Sequence, residues 1–357
     1  VFNFLGIVFC AVLLLLTGCS TPPGGAPESV PREWVSTNAL PARPVVRPPV
    51  VRTNAAPQII PKPAPVLTWT SLDRWARENQ LAPPRKIAST PVASYAVNSP
   101  GGTLTLVIGS REAVWRGLEI QLGFAPEIVD DQVFVHGLDL QKSLAPLLLN
   151  RPLVLGTNRV IVIDPGHGGA NVGTRSVLDG RFEKEFTLDW ARRIEALLAT
   201  NGWTVYLTRT NDTEMALSNR VAFAEARRAD VFISLHFNSA APDRWQGGVE
   251  TYCLTPTGMP SSLIRGYSDY WSDRYPNNAF DEENFLLAVR FHAALLRVSG
   301  GEDRGVRRAR FMGVLNGQKR PAVLLEAGYL SNPDEARKIE TPGFRQKLAE
   351  AVAAALR

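Results

Sequence analysis

From Val160 onwards, short continuous apolar runs alternate with stretches whose apolar residues recur at helical spacing, and that alternation admits few architectures. Val160-Ile161-Val162-Ile163 and Val231-Phe232-Ile233-Ser234-Leu235 are too apolar for strands with one wet face, so both faces of their sheet must be covered. Between them, Phe186 to Ala199 places Leu188, Ile194, Leu197 and Leu198 on one stripe, and Asn201-Gly202 stops it. Thr204 to Leu207, Val249 to Leu254 and Ala322 to Leu325 read as further strands; Leu217 to Ala226, Glu282 to Val298 and Gly343 to Ala355 read as further helices. The expected class is therefore α/β, a layered domain over residues 159–357 with a mostly parallel or mixed central sheet flanked by helices. Thr255 to Phe280 is polar, aromatic and outside the pattern. Because it follows a strand whose end should border the site, a lid or groove wall is expected there.

The preceding residues divide by composition. Phe4 to Leu16 is an apolar run too short to span a bilayer comfortably and suited to an export signal. Its end, Leu16-Thr17-Gly18-Cys19, resembles the bacterial lipobox, which implies a lipoprotein signal peptide over residues 1–18 and acylation of Cys19. Ser20 at the next position resembles the sorting pattern for the outer membrane, so a periplasmic protein anchored to membrane through lipid is expected. Residues 19–66 are rich in Pro, Ala, Val, Thr and Arg and read as a disordered Pro-rich tether, semi-rigid, with a reach of roughly 140 Å at ~3.1 Å per residue.

Residues 67–150 read as a small α+β domain. A short helix over Ser71 to Glu78 is followed by a strand at Thr103 to Ile108 and a hairpin turning at Arg116-Gly117. Val133-Phe134-Val135 then feeds a helix from Leu138 to Leu149. This order resembles the N-terminal domain-like module of copper amine oxidases, which makes wall binding its candidate role. Cys10, Cys19 and Cys253 are too sparse for a disulfide framework. Lys and Arg total 39 against 34 acids, a net charge of +5, and the basic residues are scattered. The local run Arg304, Arg307, Arg308 and Arg310 reads as a solvated basic face, and no nucleic-acid partner is expected.

Three apolar runs end in a potential ligand or acid: Asp164-Pro165-Gly166-His167-Gly168-Gly169, Ser234-Leu235-His236-Phe237-Asn238 and Glu326-Ala327-Gly328. In open α/β sheets, ligands bind outside the carboxyl ends of the strands, so these residues should meet at one edge. A catalytic zinc site commonly takes two imidazoles and a carboxylate, leaving one position for water. His167 and His236 supply the imidazoles. Glu183 or Glu185 supplies the carboxylate, although either acid would also suit the start of a helix. Asn238, Arg220 and Asn332 are candidates for orienting loops or substrate, with a structural role at least as fitting.

The runs VIVIDPGHGGANVGT, FEKEFTLDWARRIEALL, LTRTNDTEMALSNRVAFAEARRADVFISLHFNSA and PAVLLEAGYLSNPDEARKI are similar, in order and spacing, to the zinc-dependent N-acetylmuramoyl-L-alanine amidase family. The resemblance covers about residues 159–357. It implies that His167, Glu183 and His236 hold zinc, that Glu326 is catalytic, and that the substrate is peptidoglycan, cut between glycan and stem peptide. An activator protein is left open. The long insertion after Thr255 departs from the family pattern. A metallocarboxypeptidase-like peptidase and a non-catalytic wall-binding lipoprotein are the competing readings; the quoted runs argue against the first, and the second would lack a ligand or the terminal glutamate.

Overall fold

The computed structural model describes residues 69–357; the expected export segment, Cys19 and the tether lie outside the described residues. The chain enters through β1 (Trp69–Ser71) into α1 (Leu72–Glu78), where the Ser71 hydroxyl accepts from the Arg74 amide and caps the helix. An antiparallel meander follows: β2 (Arg85–Ala88), β3 (Ser94–Ser99), β4 (Gly102–Val107), β5 (Glu112–Trp115) and β6 (Leu118–Gln121). Arg116 and Gly117 join the last two with φ of 52° and 85°, the left-handed pair that a two-residue hairpin turn requires. β8 (Gln132–His136) pairs antiparallel with β1 on one side and with β7 (Glu127–Val129) on the other, in a separate three-stranded sheet.

The helix expected over Leu138 to Leu149 is broken into α2 (Gly137–Asp139), a π-helical turn over Leu140–Leu144 and α3 (Ala145–Leu148). Pro146 has no N–H to give the carbonyl of Lys142. That carbonyl instead accepts from Arg308 Nη2 at 3.0 Å, so a remote strand repairs the helix.

The next part alternates as expected: β9 (Val160–Pro165), α4 (Glu183–Thr200), β10 (Thr204–Leu207), α5 (Leu217–Ala226), β11 (Val231–Asn238), β12 (Val249–Cys253) and α6 (Asp281–Ser299). It closes with β13 (Asp303–Arg308), α7 (Gly313–Asn316), β14 (Ala322–Tyr329), α8 (Pro333–Glu340) and α9 (Pro342–Ala355). β10, β9, β11 and β14 run parallel, β12 runs antiparallel to β14, and β13 runs parallel to β12. Period two sorts the apolar runs onto two faces. Ile161, Ile163, Ile233, Leu235, Val323 and Leu325 meet α4, α6 and α9, whereas Val162, Phe232, Tyr252 and Leu324 meet α5 and α7.

β13 also pairs with β6, through Val306 and Ile120, so the meander and the α/β part form a single sheet of 11 strands. The arginine run expected as a solvated face is this joining strand and its exit. Arg308 is 1% exposed and Arg310 4%. Arg308 lies against the Phe285 ring and donates to the Lys142 carbonyl and to Ser143. Arg310 pairs with Asp269 and donates to the Pro256 carbonyl. Burial of these guanidiniums is tolerable because carbonyl, hydroxyl and carboxylate partners stand in for much of the water, although the Nε of each has no partner among the described residues.

The expectation for Thr255 to Phe280 needs correcting in its geometry. β12 is antiparallel, so its start borders the carboxyl edge of the parallel strands and its end points to the opposite edge. The insertion leaves from that far edge and packs on the N-terminal part. Arg111 donates to the carbonyls of Pro260 and Ser261, and Trp271 meets Phe124 edge-on. Its middle carries Arg265, whose charge acts on Glu326.

Candidate metal centre

β9 ends in a loop that the sequence bends sharply. His167 takes φ of 65°, a left-handed value uncommon for a non-glycine residue, so its neighbours must hold it there. Two buried arginines do so. Arg220 donates to the carbonyls of Pro165 (2.9 Å) and His167 (2.7 Å), and Arg209 donates to those of Pro165 (3.0 Å) and Gly166 (2.9 Å). Asp164 receives Arg220 Nη1 and the hydroxyls of Thr208 and Ser234 beneath the loop. The imidazole is oriented by Asn171, whose Oδ1 lies 2.7 Å from Nδ1.

Glu183 is the first residue of α4, where a negative charge complements the helix dipole. Its carboxylate is buried and accepts from the amides of Phe237 and Thr174, each at 3.0 Å. It also reaches both rings, with Oε1 2.9 Å from His236 Nδ1 and Oε2 3.1 Å from His167 Nε2. Burial raises this carboxyl's pKa, but hydrogen bonds from both imidazoles more than reverse that, leaving it well below the usual range. Glu185, two residues on, turns away and accepts from the Phe182 amide, a capping contact.

These three residues each offer a ligand atom, and the atoms lie within 4.8 Å of one another. The loops pack closely against two of these side chains. A Cβ on Gly166 would fall 2.4 Å from the His236 ring, and one on Gly173 would fall 2.6 Å from Glu183 Oε2. A metal ion fits this donor set.

His236 on β11 stands in register with Glu326 on β14, which stands in register with Glu250 on β12. Glu326 is buried, its Oε2 has no hydrogen-bond partner, and no arginine among the described residues forms a salt bridge with it. Burial, reinforced by the charges of Glu183 and Glu250 and opposed by Arg265, pushes its pKa well above the usual carboxyl value.

Glu250 was not singled out from the sequence, and it is the opposite case. It accepts from Asn238 (2.9 Å), Tyr252 (2.6 Å), Tyr329 (3.0 Å) and Arg304 (2.9 Å). Burial raises its pKa, but the hydrogen bonds from Tyr252 and Arg304 outweigh this. A lone acid inside the apolar run Val249–Cys253 was the signal available for it. Of the three orienting candidates, Asn238 holds Glu250, Arg220 holds the His167 loop, and Asn332 caps α8 while donating to the Trp245 carbonyl.

Residues 161–357 match the Amidase_3 family, described as N-acetylmuramoyl-L-alanine amidase. The chain belongs to that family. It is 33% identical over 244 residues to the N-acetylmuramoyl-L-alanine amidase AmiC of Escherichia coli, an overlap of 61% of this chain and 58% of AmiC. Amidase AmiA of Escherichia coli K12 is 30% identical over 223 residues, covering 56% of this chain and 75% of AmiA. Amidase LytC of Bacillus subtilis is 33% identical over 57% of this chain and 35% of LytC. The chain thus spans little more than half of AmiC and a third of LytC. Among solved structures, the catalytic domain of the amidase CwlV from Bacillus (Paenibacillus) polymyxa is 31% identical, covers 55% of this chain and 95% of that domain, and has a TM-score of 0.46. The amidase motifs fall on the three strand ends and the α4 start described above.

Proposed function

We propose that this amidase hydrolyses peptidoglycan at the amide between N-acetylmuramic acid and L-alanine of the stem peptide, with zinc held by His167, Glu183 and His236. The observation that carries the reading is Glu326, a buried carboxyl with an unpartnered oxygen, standing in register beside one ligand of a His, Glu and His cradle. Bound there, zinc would supply Lewis acidity, polarising the substrate carbonyl and easing deprotonation of a water. Glu326 Oε2 takes that proton and later delivers it to the leaving amine, for which a raised pKa suits the carboxyl. Glu250, kept charged by four donors, and the strands on either side fix where Glu326 can point.

Mass spectrometry of purified sacculi digested by the full chain tests the activity. Free stem peptides beginning with L-alanine are expected. Shortened stems would instead indicate a metallocarboxypeptidase-like peptidase, and no product would indicate a wall-binding lipoprotein.

In the same reading the protein is periplasmic and anchored to the outer membrane through Cys19, by way of the proline-rich segment. Cys19→Ser should move it from the membrane to the soluble fraction. Retention in membranes without acyl chains would overturn the anchor.

A further inference from the structure

A groove of about 730 Å³ lies between the β5–β6 hairpin, α3 and the residues following it, one side of α6, and the end of α9 with Arg357. It shares no lining residue with the metal centre. Its floor is apolar, with Leu118, Leu153, Leu286 and Leu296 partly buried, and Ala293 and Ala294 make it deep. Its polar rim is cationic. Arg116, Arg290 and Arg297 are exposed and have no ion-pair partner among the described residues, whereas Arg151 pairs with Glu282 at 2.7 Å. No acidic side chain among the described residues lines it.

Two features argue that this charge is kept for a ligand. On α6, Arg290, Ala293, Ala294 and Arg297 follow the i, i+3, i+4, i+7 spacing of one helix face. The positions three and four residues from each arginine hold Leu, Ala or Gly and no acid that could neutralise it. Across the groove, Arg116 occupies the first left-handed position of the hairpin turn, where Asn or Gly is the favoured residue. A conformational cost is accepted there for an arginine with no ion-pair partner among the described residues. The chain's own residues 20–68 are not complementary, since they hold Glu28 and Glu33 against Arg32, Arg43, Arg47, Arg52 and Lys62.

We propose that this groove is a second site for the peptide stems of the wall polymer, whose carboxylates it takes on Arg116, Arg290 and Arg297 while the apolar floor takes their methyl groups. Guanidinium forks suit carboxylates through paired hydrogen bonds, and a polymer that presents many such stems can be held at one place and cut at another. The assignment rests on the amidase reading above for the identity of the polymer.

The test is co-sedimentation of the full chain with purified sacculi, in a Glu326→Gln background so that the wall is not digested. The charge reversal R116E/R297E should lower sacculus affinity at least tenfold, and R116K/R297K should recover part of it. A control pair far from the groove, R85E/R228E, should leave affinity within about twofold. In the chain with Glu326 restored, R116E/R297E should cleave a soluble disaccharide-peptide at the parental rate. Unchanged sacculus binding in R116E/R297E, or an equal loss in R85E/R228E, overturns the groove as a site. If the parent protein fails to cleave the soluble fragment, it is the amidase reading that falls.

Discussion

Glu326→Gln is expected to lower turnover by about two orders of magnitude or more while metal content stays near that of the parent. The substitution keeps the side chain's shape and removes the proton acceptor, and Glu326 is not among the three residues whose ligand atoms cluster. Glu183→Gln should fail differently. Its carboxylate reaches both imidazoles and accepts two backbone amides, so an amide there leaves a poorer ligand and a mismatched donor in a buried site, and metal affinity should fall together with turnover. Glu185→Gln should change little beyond a few tenths of a kcal/mol, since an amide oxygen can still accept from Phe182. Metal analysis beside initial rates on a soluble disaccharide-peptide distinguishes the three. An active Glu326→Gln variant would overturn the proposed proton transfer, and metal loss in Glu185→Gln rather than Glu183→Gln would move the ligand by two residues.

The largest expected effect on stability lies one layer deeper. Asp164 and Arg220 are both nearly inaccessible, with side chains 2% and 4% exposed, and they face each other at 2.5 Å. Removing one partner leaves the other charge buried and unmatched, a loss of about 3–5 kcal/mol for such pairs. Asp164→Ala also strands the hydroxyls of Thr208 and Ser234. Its urea midpoint should drop accordingly, with metal affinity falling because Arg220 no longer secures the His167 carbonyl. A variant that unfolds within about 1 kcal/mol of the parent would show that the loop is held mainly by Arg209.

Much of the α/β part was legible because buried parallel strands write themselves as continuous apolar runs. β10 and α5 fall where the pattern puts them, and His167, His236 and Glu326 follow directly from the ends of β9, β11 and β14. What escaped depends on partners distant in the chain. β13 was hidden because arginines read as surface until Phe285, Ser143 and the Lys142 carbonyl are placed around Arg308. The direction of β12 was equally unreadable, since an apolar run carries no sign of which way it lies against its neighbour. Glu250 and Arg209 were missed for the same reason: their roles consist of hydrogen bonds to residues tens of positions away.

The hydrogen-bonded seam between β6 and β13 makes the meander and the strands that carry the candidate metal ligands parts of one plate. A flexible linker between a gripping part and a cutting part would let the cut wander. Here the spacing between the arginine-rimmed groove and the edge carrying His167 and Glu326 is set by strands and helices that cannot slide past each other. A wall strand held in the groove would meet the metal at a fixed interval along its length, and the enzyme would act as a ruler, releasing stems at a set distance from the one it grips.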